Sequence, residues 1–381
     1  MFDPLVSFAA YAVPFLLVLT ALIFVHELGH FWVARRAGVR VETFSIGFGR
    51  EIFGWTDRRG TRWKIGWMPL GGYVKMFGDA DAASAPDHER GASMSEAERS
   101  VSFHHKSLGW RAAIVAAGPA ANFLFAILVF AALFLAYGRP VTAPVVGSVV
   151  EGMPADKAGI RAGDRIVAIN GSAIDRFEQI QRVVLLNLDQ SLKVELERAG
   201  ARLQVDLRPA IVEEVDRLGN AMRLARLGIR SAGQRDVEAI ASPTRAIWLA
   251  IDETWTQTVG TLRAVGQMIV GRRGAEELSG PLGIAKVSGE AAQASWATLI
   301  ALAATLSISL GLINLFPIPI LDGGHLVFYA IEAVRGRPLG ARAQEYGFRV
   351  GLVLVVSLML FATWQDLVRL RVVQFVVSLV G

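Results

Sequence analysis

Residues 11–34 read YAVPFLLVLTALIFVHELGHFWVA, an apolar run of helical length that carries His26-Glu27-Leu28-Gly29-His30 near its end. No charged side chain occurs from Pro4 to Val25. Ionisable groups are costly in hydrocarbon and are kept there for a use. At i and i+4 the two imidazoles leave one face of a helix about 40° apart. Both can then bind one zinc, with Glu27 beside them to take a proton from the attacking water. The competing reading is two histidines packed against polar neighbours inside a transporter bundle.

The chain has 381 residues, of which 53% are hydrophobic, and a mean hydropathy of +0.42. Those values fit a mixture of membrane spans and a soluble domain. Four runs approach the ~20 residues a helix needs to cross hydrocarbon: residues 11–34, 112–137, 296–316 and about 348–366. The first has no basic start and carries the candidate chemistry, so it is expected to be a retained span rather than a cleaved signal peptide. The net charge of +5 does not point to nucleic acid, because the basic residues crowd the segment from Arg35 to Arg111 and none precedes Arg35. By the positive-inside bias that segment is cytoplasmic and the N-terminus external, which places residues 138–294 outside. The absence of cysteine excludes a disulfide framework and a thiolate metal site.

Between the first two spans, residues 41–79 are rich in Gly, Phe, Trp and β-branched residues and read as short strands and turns. Strands this apolar either dip into the membrane while lining a protein cavity or lie as a surface hairpin beside the headgroups. Residues 80–99 read as a flexible linker, and His88, His104 and His105 as solvated loop histidines. Residues 140–230 form a compact domain, with strand candidates around Val146-Gly147-Ser148, Ile166 to Ile169, and the alternating pair 192–196 and 203–207. A helix is expected from Phe177 to Leu188. Residues 231–294 read as an amphipathic linker, interrupted at Gly280-Pro281.

Two histidines and a water leave zinc one protein ligand short. As the third span ends, the chain reads Asn314-Leu315-Phe316-Pro317-Ile318-Pro319-Ile320-Leu321-Asp322-Gly323-Gly324-His325. Pro317 and Pro319 interrupt the helix, and the two glycines allow close backbone approach around Asp322. Asp322 is either the third ligand or a cap for the next helix. His325 competes with it as ligand.

The H-E-L-G-H of the first span and the N-x-x-P-x-P-x-L-D-G of the third, with the insert between spans two and three, resemble the site-2 protease family. Phe44 to Gly49, Gly71 to Met76 and Ala117 to Asn122 extend the likeness, which is to the bacterial RseP branch. The run from Pro154 to Gly171 resembles a circularly permuted PDZ domain, present here once. The implied fold is a polytopic α-helical membrane protein with about four transmembrane helices, a membrane-associated β segment and one inserted extracytoplasmic PDZ-like domain. Residues 1–137 and 295–381 are then the two halves of the protease core. The resemblance implies one Zn2+ held by His26, His30 and Asp322, with Glu27 as base. Asn314 and Pro317 would sit near the substrate, and Gly71, Gly72 and Tyr73 on an edge offered to an unwound helix. The PDZ groove is expected at Val146, Gly147 and Ser148. The implied activity is endopeptidase cleavage within transmembrane segments of single-span proteins. Anti-sigma factors already cut outside by a site-1-type protease, or remnant signal peptides, are the implied substrates. The location is the bacterial inner membrane, with lipid and substrate as partners and no nucleic acid. The alternative is a non-catalytic membrane scaffold whose PDZ domain tethers peptides.

Overall fold

The computed structural model describes residues 4–80, 93–187, 190–215, 221–232, 236–271 and 279–369. Two compact units emerge. One holds Met1–Phe130, Leu249–Thr258 and Leu278–Leu367; the other holds Ala131–Trp248 and Val259–Glu277, together with Val368–Gly381.

In the first unit, α1 (Pro4–Arg36) carries the H-E-L-G-H motif. The chain then forms two long strands, β1 (Val41–Thr56) and β2 (Arg62–Met76), where shorter strands were expected. Their pairing is doubled. Phe44 pairs with both Val74 and Trp63, and Ile46 with both Gly72 and Ile65. The ribbon therefore folds back on itself as four segments in the order 51–56, 62–66, 43–46, 72–76. Gly47 and Gly71, with φ of +83° and +120°, make the bends in a region other residues avoid. Segment 72–76 is an outer edge, with no further strand beside it among the described residues. Phe31, Phe44, Val74, Met76, Phe103 and Ile114 form the buried core beneath.

After the short α2 (Glu96–Val101), α3 (Leu108–Tyr137) is the second long apolar helix. Of the three histidines read as solvated, His88 lies outside the described residues, as does most of the 80–99 linker. His105 is exposed. His104 is not: its Nε2 lies 3.0 Å from Oδ1 of buried Asp79, which also accepts from the Met76 N–H. A buried carboxylate demands partners, and the loop histidine supplies one.

In the second unit, β3 (Arg139–Val141) and β4 (Val146–Val149) follow the end of α3 and precede α4 (Pro154–Lys157). Strands β5 (Arg165–Ile169) and β6 (Ser172–Ala173) precede α5 (Phe177–Leu185), a little shorter than expected. Then come β7 (Leu192–Arg198), β8 (Ala201–Leu207), β9 (Ala210–Val215), β10 (Ala221–Arg226), β11 (Ile229–Ser231) and β12 (Asp236–Glu238). One sheet runs β6-β5-β7-β8, and β4 pairs with β11. Ile166, Ile169, Ile180, Leu192, Val194 and Leu196 fill its core. The alternation in 192–207 becomes the hairpin of β7 and β8, with Leu192 opposite Leu207.

Residues 231–294 are not a linker throughout. They contain α6 (Pro243–Ile269) and α7 (Pro281–Ala294). Helix α7 belongs to the first unit, where Ala291 joins Val18, Leu22, Leu299 and Ala303 in one buried cluster. Small residues explain this. A side chain at Gly289 would strike the Tyr11 ring, so α7 lies closer to α1 than a larger residue permits. The unit closes with α8 (Trp296–Asn314), α9 (Asp322–Arg335) and α10 (Ala341–Arg369). Buried Asp366 of α10 accepts from the N–H groups of Gly280 and Gly283 at 3.0 and 2.9 Å, capping α7, which has no side-chain cap of its own. Among the described residues, four helices are long and apolar enough to cross a membrane, spanning Ala9–Arg36, Leu108–Tyr137, Trp296–Asn314 and Arg342–Val368.

Candidate metal centre and active site

His26 and His30 project from one face of α1, with their Nε2 atoms 3.2 Å apart. Asp322 Oδ2 lies 3.1 Å from His26 Nε2 and 3.5 Å from His30 Nε2. Among the described residues these three side chains form the one group able to hold a metal ion. Asp322 is the first residue of α9, and Leu321 stands at its N-cap with no side-chain bond, so the carboxylate does not cap the helix. The local chain explains how a short Asp reaches so far. Pro317 and Pro319 end α8 in tight turns, with Ile318 N–H donating to Phe316 O at 2.7 Å and Leu321 N–H to Ile318 O at 2.9 Å. Any side chain at Gly323 would strike the carbonyls of Leu315 and Phe316, so α9 starts pressed against the end of α8.

The donor set fits zinc. Bonds of about 2.0–2.1 Å in a tetrahedron place ligand atoms roughly 3.3 Å apart, and the three separations straddle that value. Asp322 Oδ2 is buried and meets no hydrogen-bond donor in bonding geometry. Both Nδ1 atoms are engaged on the far side, His30 with Ile114 O at 2.8 Å and His26 with the Asn122 amide at 3.1 Å, which leaves Nε2 turned inward. The packing is close: a Cβ at Gly118 would stand 2.9 Å from His26 Cε1 and nearer still to His30 Nε2.

A cavity of about 190 Å3 opens beside these atoms, lined by Glu27, Gly72, Tyr73, Val74, Asn314 and His325 among others. Gly72 brings the outer strand edge against α1, where an added Cβ would lie 3.3 Å from Glu27 Cγ. Asn314 donates its side-chain N–H to Leu310 O at 3.0 Å. His325 lines the cavity one turn beyond Asp322 but stands outside the three-residue group. Gly71 packs on the Phe48 ring, and Pro317 is exposed; neither lines the cavity.

The second unit carries its own groove of about 520 Å3, between Ile180 and Val184 of α5 and residues 227–230. Val146, Gly147 and Ser148 do not form it. Val146 is wholly buried, and β4 is already paired, Ser148 opposite Arg230 and Val146 opposite Ser231. The later strand β11 covers the edge that the linear sequence left looking free.

Asn122 and Gly118, within the run that carried the family likeness, and Ile114 were given no role in the site from sequence; all three lie on α3. Their signal was weak. Asn122 is a lone polar residue in an apolar run, and a glycine or a main-chain carbonyl carries no chemical label.

The model of peptidase family M50 matches residues 14–358. The chain belongs to that family. A protein of Agrobacterium fabrum named as a candidate zinc metalloprotease is 48% identical over 361 residues, covering 94% of this chain and 95% of the relative. A Rhizobium meliloti protein of the same description is 47% identical over 361 residues, covering 94% and 96%. Metalloprotease MmpA of Caulobacter vibrioides is 40% identical over 394 residues, covering 98% and 99%. Membership of this site-2 protease family makes the chain a zinc metalloprotease, a hydrolase, and sets aside the non-catalytic scaffold.

Proposed function

We propose that this M50 peptidase cleaves peptide bonds within the transmembrane segments of single-span membrane proteins, using one zinc held by His26, His30 and Asp322 and Glu27 as general base. The observation that carries the reading is the convergence of three ligand atoms on the inner side of a helix that is itself long and apolar enough to cross a membrane. When bound, zinc polarises the scissile carbonyl and makes water acidic enough to lose a proton near neutral pH. Glu27 lines the same cavity, takes that proton and passes it to the leaving amine. Asn314, on the cavity wall, positions the substrate backbone.

A helical substrate hides its scissile bond within its own hydrogen bonds, so it must be extended locally before attack. The outer edge at Gly72, Tyr73 and Val74 runs beside Glu27 and offers main-chain groups to such a segment, in the manner of an added strand. In this reading the site faces the cytoplasmic side of the bacterial inner membrane, and the PDZ-like unit lies outside. There it screens substrates already trimmed by a site-1-type protease, such as anti-sigma factors, or remnant signal peptides.

The test is cleavage of a tagged single-span substrate in liposomes by wild type and Glu27→Gln, with bound zinc quantified in both. Cleavage by wild type alone, with zinc in both proteins, is expected. If Glu27→Gln cuts as fast as wild type, Glu27 is not the base.

A further inference from the structure

Helix α3 steers both histidines from behind, and it does so in two different ways. For His30 the partner is a main-chain carbonyl, Ile114 O, at 2.8 Å. For His26 it is a side chain, the amide of Asn122, at 3.1 Å from Nδ1. Asn122 is fully buried, and its main-chain carbonyl accepts from Ser307 Oγ at 2.9 Å, so α8 holds this turn of α3 in place. An amide buried in an apolar helix is costly, and an aliphatic residue would pack there at less cost.

The chemistry of the imidazole says what the amide is for. A neutral ring carries one N–H, and coordination through Nε2 requires that proton on Nδ1. The group facing His26 Nδ1 must therefore accept. The two ends of an amide are alike in shape, and their assignment follows from the hydrogen bonds they make. With the nitrogen toward His26, Asn122 Oδ1 is buried without a partner. With the amide turned over, Oδ1 receives the Nδ1–H, the tautomer is fixed, and Nε2 is presented beside Asp322.

We propose that Asn122 is a positioning residue of the zinc centre, accepting the Nδ1–H of His26 to orient the ring and fix its tautomer. The proposal rests on the metal reading above. Removal of such an outer-shell acceptor typically weakens metal binding 10- to 100-fold, roughly.

The experiment is a zinc competition titration against a chromophoric chelator on the full chain in detergent. It compares wild type, Asn122→Ala, Asn122→Leu, Asn122→Asp and His26→Ala, with thermal unfolding of each metal-free protein alongside. Asn122→Ala and Asn122→Leu should lose about 10- to 100-fold in affinity, while Asn122→Asp, which keeps an acceptor, stays close to wild type. Metal-free unfolding of Asn122→Leu should match wild type, which separates orientation of the ring from simple packing. Wild-type affinity in Asn122→Leu, with zinc lost in His26→Ala, overturns the role of Asn122 and leaves the metal reading standing. Failure of Asn122→Asp to recover affinity overturns the acceptor role. Equal zinc binding by wild type and His26→Ala overturns the metal reading itself.

Discussion

Gly118→Ala is the most informative single perturbation of this centre, because it should improve the helix and damage the site. The new methyl would stand 2.9 Å from His26 Cε1, which falls 0.5 Å short of the 3.4 Å at which ordinary contact begins, and it crowds His30 Nε2 more severely. His30 cannot swing aside freely, since Nδ1 is tied to Ile114 O at 2.8 Å. Metal–ligand distances in sound sites hold within about 0.2 Å, so the displacement exceeds the tolerance more than twofold. We expect zinc affinity to fall by about 100-fold, the upper end of outer-shell effects, or roughly 2.7 kcal/mol. Replacing a mid-helix glycine by alanine works the other way on the fold, by up to about 1 kcal/mol. The assay is the same chelator competition, paired with thermal unfolding of metal-free protein. Loss of affinity is the expected result, with metal-free stability lowered as well, because overpacking costs about 1–3 kcal/mol and the helix gain offsets only part of it. Wild-type affinity in Gly118→Ala would refute the packing of the imidazoles against α3.

Other outcomes follow from the same geometry. Asp322→Ala should lose zinc by more than about 100-fold, beyond the range of outer-shell partners, whereas His325→Ala should keep it; retention by the first and loss by the second would exchange their roles. Asp366→Ala removes the cap of α7 and leaves two N–H groups unpaired, so the protein should lose about 1–2 kcal/mol in a reversible denaturation experiment while still binding zinc. Asp57 gives a pH signature. Burial pushes its carboxyl up, but bonds from the Trp63 indole, the Thr61 and Arg59 N–H groups and Arg35 hold it at about 2, below its ordinary 3.8. A depressed carboxyl stabilises the fold above 3.8 and loses that contribution as pH falls toward 2. Melting curves of wild type and Asp57→Asn should therefore converge as the pH falls through that window; a gap that persists at pH 2 contradicts the assignment.

What was legible in the sequence was local. The i, i+4 histidines lie on one turn of one helix, and their placement in an uncharged run marks them without any tertiary information. Asp322 was readable as a candidate because prolines and glycines break the chain around it, though only the folded end of α8 distinguishes a ligand from a cap. The doubled ribbon of 41–76 was not legible, since apolar strands with glycines fit several registers and only packing on Phe31 and Ile114 selects one. The pairing of the edge expected as a groove at Val146 to Ser148 was not legible for a related reason: the partner of β4 is β11, some 80 residues later, and no local pattern reports a pairing over that distance. His104 looked like a loop residue because its partner, Asp79, is buried by a turn that the sequence does not announce. Residues 281–294 read as a linker because their packing against α1 and α8 depends on small side chains rather than on an apolar run.

The most direct test of the account is mass-spectrometric mapping of the bond cut in a single-span substrate reconstituted with this protein in liposomes. The account predicts a cut inside the substrate's apolar segment, made by wild type and abolished by Glu27→Gln. A cut confined to the soluble flanks, or one that survives Glu27→Gln, would contradict it.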